Sequence, residues 1–317
     1  MPGAGWAGGS GGAGVAGALA RLTGVGVTQC RAIGGQHGAR HYSARLADGR
    51  RVFVKTAAAA ADGGRGWSRG TGTDGTGTDG VVAGTVLEAE AAGLRWLGEA
   101  GGAPVPSVVA AGDGLLAIDW LTGEVPGPAA AERLGRGLAV THRAGAERFG
   151  APWSGFIASL PLPNDRASSW PQWYAECRLL PFARLARDLG YLGTADVALV
   201  ERLAGRVGEL AGPPEPPSRI HGDLWSGNIM WSGGAGWLID PAAHGGHRET
   251  DLAMLALFGA PYLDRVATAY AEVAPLADGW RSRVPLHQLH PLLVHVCLFG
   301  RSYRDSALAA ARSALSA

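Results

Sequence analysis

The sequence predicts an α+β protein of two lobes, the first an antiparallel sheet with one helix and the second mostly helical. Three observations carry this. In HYSARLADGRRVFVK two β-like runs flank Asp48-Gly49, a dipeptide favoured in tight hairpin turns. One amphipathic helical stretch, TVLEAEAAGLRWLGEA, stands between that hairpin and two further short β-like runs. From Gly127 on the pattern turns helical, broken by proline-rich punctuation at PLPND and PPEPPSRI.

The elements follow in order. The first thirty residues are rich in Gly and Ala, with a weak helical stretch at VAGALARLTG. VGVTQCRAI alternates as a strand does and runs into a turn at Gly34-Gly35. On the returning strand of the Asp48-Gly49 hairpin, a period of two puts Arg51, Phe53 and Lys55 on one face and Val52 and Val54 on the other. The Gly/Thr/Asp-rich segment 61–80 reads as a flexible surface insert. In the helix beyond it, Val86, Leu87, Leu94 and Leu97 form the apolar stripe, with Glu88 and Glu90 in its first half. After the AGGAPVP break, PSVVAAG and GLLAIDWL read as strands. A boundary between Leu121 and Pro128 then divides the chain into a first lobe, 1–121, and a helical second lobe, 122–317.

Composition removes several function classes. A net charge of +1 with 17% charged residues offers no basic face to nucleic acid or an anionic membrane. No window reaches the ~18 apolar residues of a membrane span, and the N-terminus lacks the basic region of a signal peptide. The expectation is a cytoplasmic protein, with a monomer favoured. Cys30, Cys177 and Cys297 are far apart, odd in number and without CxxC spacing, which favours a reducing compartment over a disulfide framework. Cys30 reads as a plain strand cysteine, with a redox-sensitive thiol as the alternative. Lys55 is the only lysine in the chain. Codon bias explains the scarcity but not the survival of one at a strand end, where a compact charge suits phosphates and a carboxylate.

The segment HGDLWSGNIMW, His221 to Trp231, is neither a clean helix nor a clean strand, as expected of a loop that carries a site. It supplies Asp223 and Asn228. The following IMWSGGAGWLID reads as a hairpin ending at Asp240, symmetric about Gly234, and this register sets Asn228 opposite Asp240. Two oxygen donors at one mouth suit Mg²⁺, which completes its shell with phosphates. A glycine turn, a strand lysine, a helix glutamate, D-x4-N and an aspartate after a hairpin together form the parts of a kinase-like phosphoryl transferase. Either Glu88 or Glu90 can partner Lys55, and Glu90 is favoured. Asp251 reads as a helix-start or loop-bracing residue. His244 and His247 lack a third ligand in helical register, so a zinc site is disfavoured.

HGDLWSGN followed by LIDPAAHGGHRETDLAMLALFG closely resembles the fructosamine kinase (ketosamine-3-kinase) family, within the aminoglycoside phosphotransferase and protein-kinase-like superfamily. The likeness extends to RVFVK, EAEAAGLRWL, LLAIDWL, NDRASSWPQWYAECRLLP and GWRSRVPLHQLHPLLVHVCLFG, and so to most of the chain. It implies a bilobal protein-kinase-like fold and ATP- and Mg²⁺-dependent phosphorylation of a free or protein-linked fructosamine or ribulosamine at O3, leading to deglycation. It makes Asp223 the base, Asn228 and Asp240 the metal ligands, and Lys55 with Glu90 the phosphate-positioning pair. Gly34 and Gly35 then approach the phosphates, the main chain of Asp119, Trp120 and Leu121 holds adenine, and Trp225 and His247 join Asp223 on the substrate side. The alternatives are another hydroxyl acceptor, such as an aminoglycoside, and a catalytically idle nucleotide-binding module.

Overall fold

Residues 10–36, 39–57 and 85–317 are described by the computed structural model; the 61–80 insert lies outside them. Helix α1 (Ser10–Thr23) leads into β1 (Val27–Gln36), β2 (Ala39–Leu46) and β3 (Arg51–Ala57). Helix α2 (Val86–Gly98) precedes β4 (Val108–Gly112) and β5 (Leu115–Asp119). The five strands make one antiparallel sheet in the order β1-β2-β3-β5-β4.

The period-two pattern of β3 explains how the sheet is covered. Val52 and Val54 join Leu19 of α1 on one face, while Phe53, Leu116 and Ile118 meet Leu87, Ala91 and Leu94 of α2 on the other. Each such buried aliphatic contributes about 1.5–3 kcal/mol. Lys55 pairs with Leu116 across the ladder and so lies on the α2 side, sealed from water. Helix α2 opens with a capping box: Glu88 N donates to Thr85 Oγ1 at 3.3 Å and Thr85 N donates to Glu88 Oε2 at 2.7 Å. That commits Glu88 to the helix end. Val86 departs from the expected stripe; one turn before Glu90, it faces the cleft and is 42% exposed.

Gly34 and Gly35 also depart from expectation. They belong to β1, paired with His41 and Arg40, because the strand continues through a bulge after Ala32; residues 37 and 38 lie outside those described.

The helical region begins with α3 (Pro128–Arg143) and a short hairpin of β6 (Gly155–Ile157) and β7 (Leu160–Leu162). Next come α4 (Trp170–Tyr174), a π-helical turn at Ala175–Leu179, α5 (Leu180–Asp188), α6 (Thr194–Ala204) and α7 (Val207–Leu210). Strand β8 (Ser218–Ile220) enters the site loop, which leaves through β9 (Ile229–Ser232), β10 (Ala235–Leu238) and β11 (His244–Gly246). Helices α8 (Glu249–Phe258), α9 (Leu263–Val273), α10 (Trp280–Phe299) and α11 (Arg304–Ser316) close the chain. Leu134 and Leu138 of α3 pack with Ile229, Leu238 and Tyr270, which seats the β9–β10 hairpin on the helices. Among the described residues no helix is long and apolar enough to cross a membrane.

The β9–β10 register differs from the expected one by a single residue. Gly233 and Gly234 have φ of 58° and 71°, the positive values that a two-residue hairpin turn requires at both central positions. The turn is therefore centred between them, Leu238 pairs with Ile229, and Ile239 N donates to Asn228 O at 3.0 Å. Asn228 stands opposite Ile239, and Asp240 leaves the ladder with φ of 55°.

Candidate active site

Lys55 Nζ donates to Glu90 Oε1 and Oε2 at 2.8 and 2.9 Å and to Asp240 Oδ1 at 2.6 Å. Burial works against the ammonium, but the two carboxylates outweigh it and hold the Lys55 pKa above its ordinary value. One ammonium cannot neutralise both acids. Burial foremost pushes the Glu90 carboxyl up, to about 7; Lys55 opposes that rise and Asp240 adds to it. The helix can deliver Glu90 so closely because of Gly93, where a Cβ would sit 3.1 Å from Ala243 Cβ and 3.3 Å from Pro241 Cγ. The far end of α2 is held by Arg219, which donates to Trp96 O and lies 4.5 Å over the Trp96 ring. Trp96 in turn packs edge-on against Trp153 at 5.6 Å.

The loop after β8 is fixed by buried polar groups. Fully buried Asp251 accepts from His221 N at 2.7 Å, Gly222 N at 2.9 Å and His142 Nε2 at 3.1 Å. His221 Nε2 donates to Ile239 O at 2.9 Å and its Nδ1 accepts from Asp223 N at 3.2 Å, which defines a neutral imidazole; burial lowers its pKa accordingly. Asn228 Nδ2 donates to Asp223 O at 2.8 Å and to Asp223 Oδ2 at 3.0 Å. Burial pushes the Asp223 carboxyl up to about 7; the Asn228 N–H opposes this, and the charges of Asp240 and Asp251 reinforce it.

The donor set fits Mg²⁺. The Asn228 amide nitrogen is committed to Asp223, which leaves its carbonyl oxygen, and Asp240 gives Oδ1 to Lys55, which leaves Oδ2. One amide oxygen and one carboxylate oxygen, beside a cluster with an excess negative charge, are hard ligands for a cation that keeps phosphates in its shell.

These groups line one cleft of about 460 Å³ between the sheet and the helical region, with Ile33, Phe53, Met230 and Ile239 as apolar walls. Asp119, Trp120 and Leu121 border it. Asp119 N donates to Ser107 O at 3.1 Å, Trp120 N to Arg51 O at 3.2 Å, and the Arg51 guanidinium lies 3.6 Å over the Trp120 ring. Trp225 also lines the cleft, its ring lying over Gly227, where any Cβ would collide with it. Gly34 and Gly35 are not among the cleft-lining residues.

His247 does not reach the cleft. It is 4% exposed, its ring centroid 4.9 Å from those of both Trp170 and His287, and burial pushes its pKa down to about 3. The short β11 strand that precedes it pairs with β8 and turns the chain inward. Ligand atoms of His247, Glu249 and His287 lie within 4.8 Å of one another, but Arg283 already grips Glu249 at 2.6 and 2.9 Å. Cys30 is half-buried in β1, and burial raises its thiol pKa, the reverse of activation. Sequence reasoning missed Trp153, Phe156 and Ile157, which line the cleft. Strands of three residues leave too short an alternation to read, and Gly155 was the one local sign of a close approach.

A sheet lobe and a helical lobe around such a cleft make a protein-kinase-like fold. An aminoglycoside phosphotransferase solved with gentamicin shares this fold at a TM-score of 0.59 and 13% identity, over 96% of each chain. Likeness is greater to a Thermobifida fusca protein assigned as a fructosamine-3-kinase: TM-score 0.85 and 51% identity, over 96% of this chain and 99% of that one. A protein of Thermus thermophilus named a probable ketoamine kinase is 35% identical over 219 residues, 69% of this chain and 78% of its own. One of the same name from Lactiplantibacillus plantarum is 34% identical over 225 residues, 69% and 78% of the two chains. The model of the fructosamine kinase family matches residues 81–317. The chain belongs to the fructosamine kinase family and is an ATP-dependent kinase.

Proposed function

We propose that this kinase transfers the γ-phosphoryl group of ATP to the O3 hydroxyl of a ketosamine, of fructosamine or ribulosamine type, and so initiates deglycation. The observation that supports this most is the placing of Asp223 in the same cleft as the Lys55–Asp240 ion pair, with its carboxyl held near pH 7. A base of that pKa accepts a proton at neutral pH without losing basicity to solvation. The acceptor oxygen bonds to the γ-phosphorus, its proton passes to an Asp223 oxygen, and the bond to the β-phosphate oxygen breaks to release ADP. Lys55, kept in place by Glu90, neutralises phosphate oxygens. Asn228 and Asp240 would hold Mg²⁺, which would supply charge neutralisation for the triphosphate. The Asp119 and Trp120 amides are already committed, so the main chain at Leu121 is the donor offered to adenine. Trp225 gives the sugar a flat apolar face. Positioning and charge are what a loose phosphoryl-transfer transition state needs from a protein.

The test offers labelled ATP with fructose- and ribulose-amines side by side and with an aminoglycoside panel. Phosphate is expected on the ketosamines; transfer to an antibiotic and to no ketosamine would reject the acceptor assignment.

A further inference from the structure

Among the described residues, three exposed aromatic side chains are linked. Trp225, Phe258 and Phe299 are 36%, 38% and 54% exposed. Phe258 meets the Trp225 ring edge-on at 6.3 Å. His295 bridges the rest, 4.9 Å from Phe258, 5.4 Å from Phe299 and 4.8 Å from Tyr303 between ring centroids. The row therefore starts at a cleft-lining residue and runs outward over the end of α8 and the end of α10. Contiguous exposed apolar surface of this kind marks a binding site more often than an isolated side chain does.

The row is also uncharged. His295 Nδ1 lies 2.7 Å from Pro291 O, which can only accept, so Nδ1 carries the proton. Burial lowers the His295 pKa, so the ring is neutral and its Nε2 is an acceptor. A surface of aromatic faces with one acceptor suits an apolar or aromatic group that carries an N–H, and it repels nothing cationic.

A ketosamine has two halves, and this inference rests on the ketosamine reading above. If the sugar hydroxyl meets Asp223 and the sugar ring lies on Trp225, the amine half extends away from the reacting centre. We infer that the row from Trp225 through Phe258 and His295 to Phe299 is a subsite for the amine half of the acceptor, selecting amines that bear an aromatic or large apolar group. Selection arises because such a group covers Phe258 and Phe299, which a glycine-derived amine leaves exposed.

The experiment compares two adducts of one sugar, made with glycine and with phenylalanine, by kcat/KM under Mg²⁺ and ATP. The wild-type protein is expected to favour the phenylalanine adduct by about tenfold, the worth of roughly one aromatic contact pair. In Phe258→Ala/Phe299→Ala that ratio is expected to approach one, and Phe299→Leu, which keeps the apolar body, retains part of it. Equal efficiency on both adducts in the wild type, or an undiminished ratio in the double variant, would overturn the subsite alone. Transfer to neither adduct would overturn the ketosamine reading and the subsite with it.

Discussion

Lys55 Nζ lies 2.6 Å from Asp240 Oδ1, a contact between residues 185 apart in the chain. It joins the sheet to the β9–β10 hairpin and meets an aspartate whose φ of 55° is costly for a side-chain-bearing residue, of order 1–3 kcal/mol. Such strain persists only where the surroundings over-determine it, and the ion pair is one of the determinants.

Lys55→Met should reduce turnover by ~10²-fold or more, the usual scale for removing one electrostatic contact to a developing charge. It also strands two carboxylates. The Glu90 pKa is already raised to about 7, so a proton can replace the lost charge at pH 6 more readily than at pH 8. Melting temperatures of the variant should therefore fall further below the wild type at pH 8 than at pH 6.

Asp223 carries opposite predictions for rate and stability. With its pKa raised to about 7, the carboxyl is protonated at pH 6, so kcat/KM should rise with pH through about 7. Asp223→Asn should lose ~10²-fold or more in rate and lose that limb. The folded pKa lies above the ordinary carboxyl value of 3.8, so the folded state binds the proton more tightly. The stability contributed by the Asp223 carboxyl then declines as pH rises from about 4 to 7 and is flat above. Asn228 can still donate to the amide oxygen, and the variant should melt higher than the wild type at pH 8, with little difference at pH 4.

Asp251 never needs to touch a substrate to matter. Asp251→Ala leaves the buried His221 N–H, the part-buried Gly222 N–H and His142 Nε2 without their acceptor, at about 1–3 kcal/mol for each unsatisfied group. Denaturant unfolding should show a loss of at least ~3 kcal/mol. The residual folded protein should be slow, because the His221–Asp223 backbone loses its brace.

The legible parts were those set by local periodicity. The period of two placed Lys55 and Phe53 together on one face of β3, and helical spacing offered Glu88 and Glu90 as rivals. The rivalry is resolved by Thr85, since a capping box consumes Glu88 and leaves Glu90, two residues on and so on the opposite side of the helix, facing inward. The Asn228–Asp240 juxtaposition was misread by one residue, because paired glycines allow a turn centred on either one or between both, and only φ decides. His247 was misplaced for a different reason. Three-residue β11 carries no pattern of its own, and its pairing with β8 is a long-range event that turns the histidine into the core. The Asp251 brace was visible as a loop-bracing possibility, but its three donors come from α3 and the site loop and share no sequence signal.

The Arg219–Trp96–Trp153 stack braces the C-terminal half of α2, and of the three only Trp153 borders the cleft. Trp96→Ala should loosen the Lys55–Glu90 pair and raise the KM for ATP several-fold while leaving the pH limb of Asp223 in place. Trp96→Phe, which keeps an aromatic face for Arg219, should restore most of the affinity. A uniform loss of activity with an unchanged KM for ATP would assign the stack to stability alone.

The account as a whole stands on where the phosphate goes. Phosphorus–proton correlation NMR on the product of a fructose-amine, ATP and Mg²⁺ reads that position directly. The expected result is a phosphomonoester coupled to the sugar C3 proton, absent with Asp223→Asn. Phosphate on any other hydroxyl, or an undiminished C3 signal from Asp223→Asn, would contradict it.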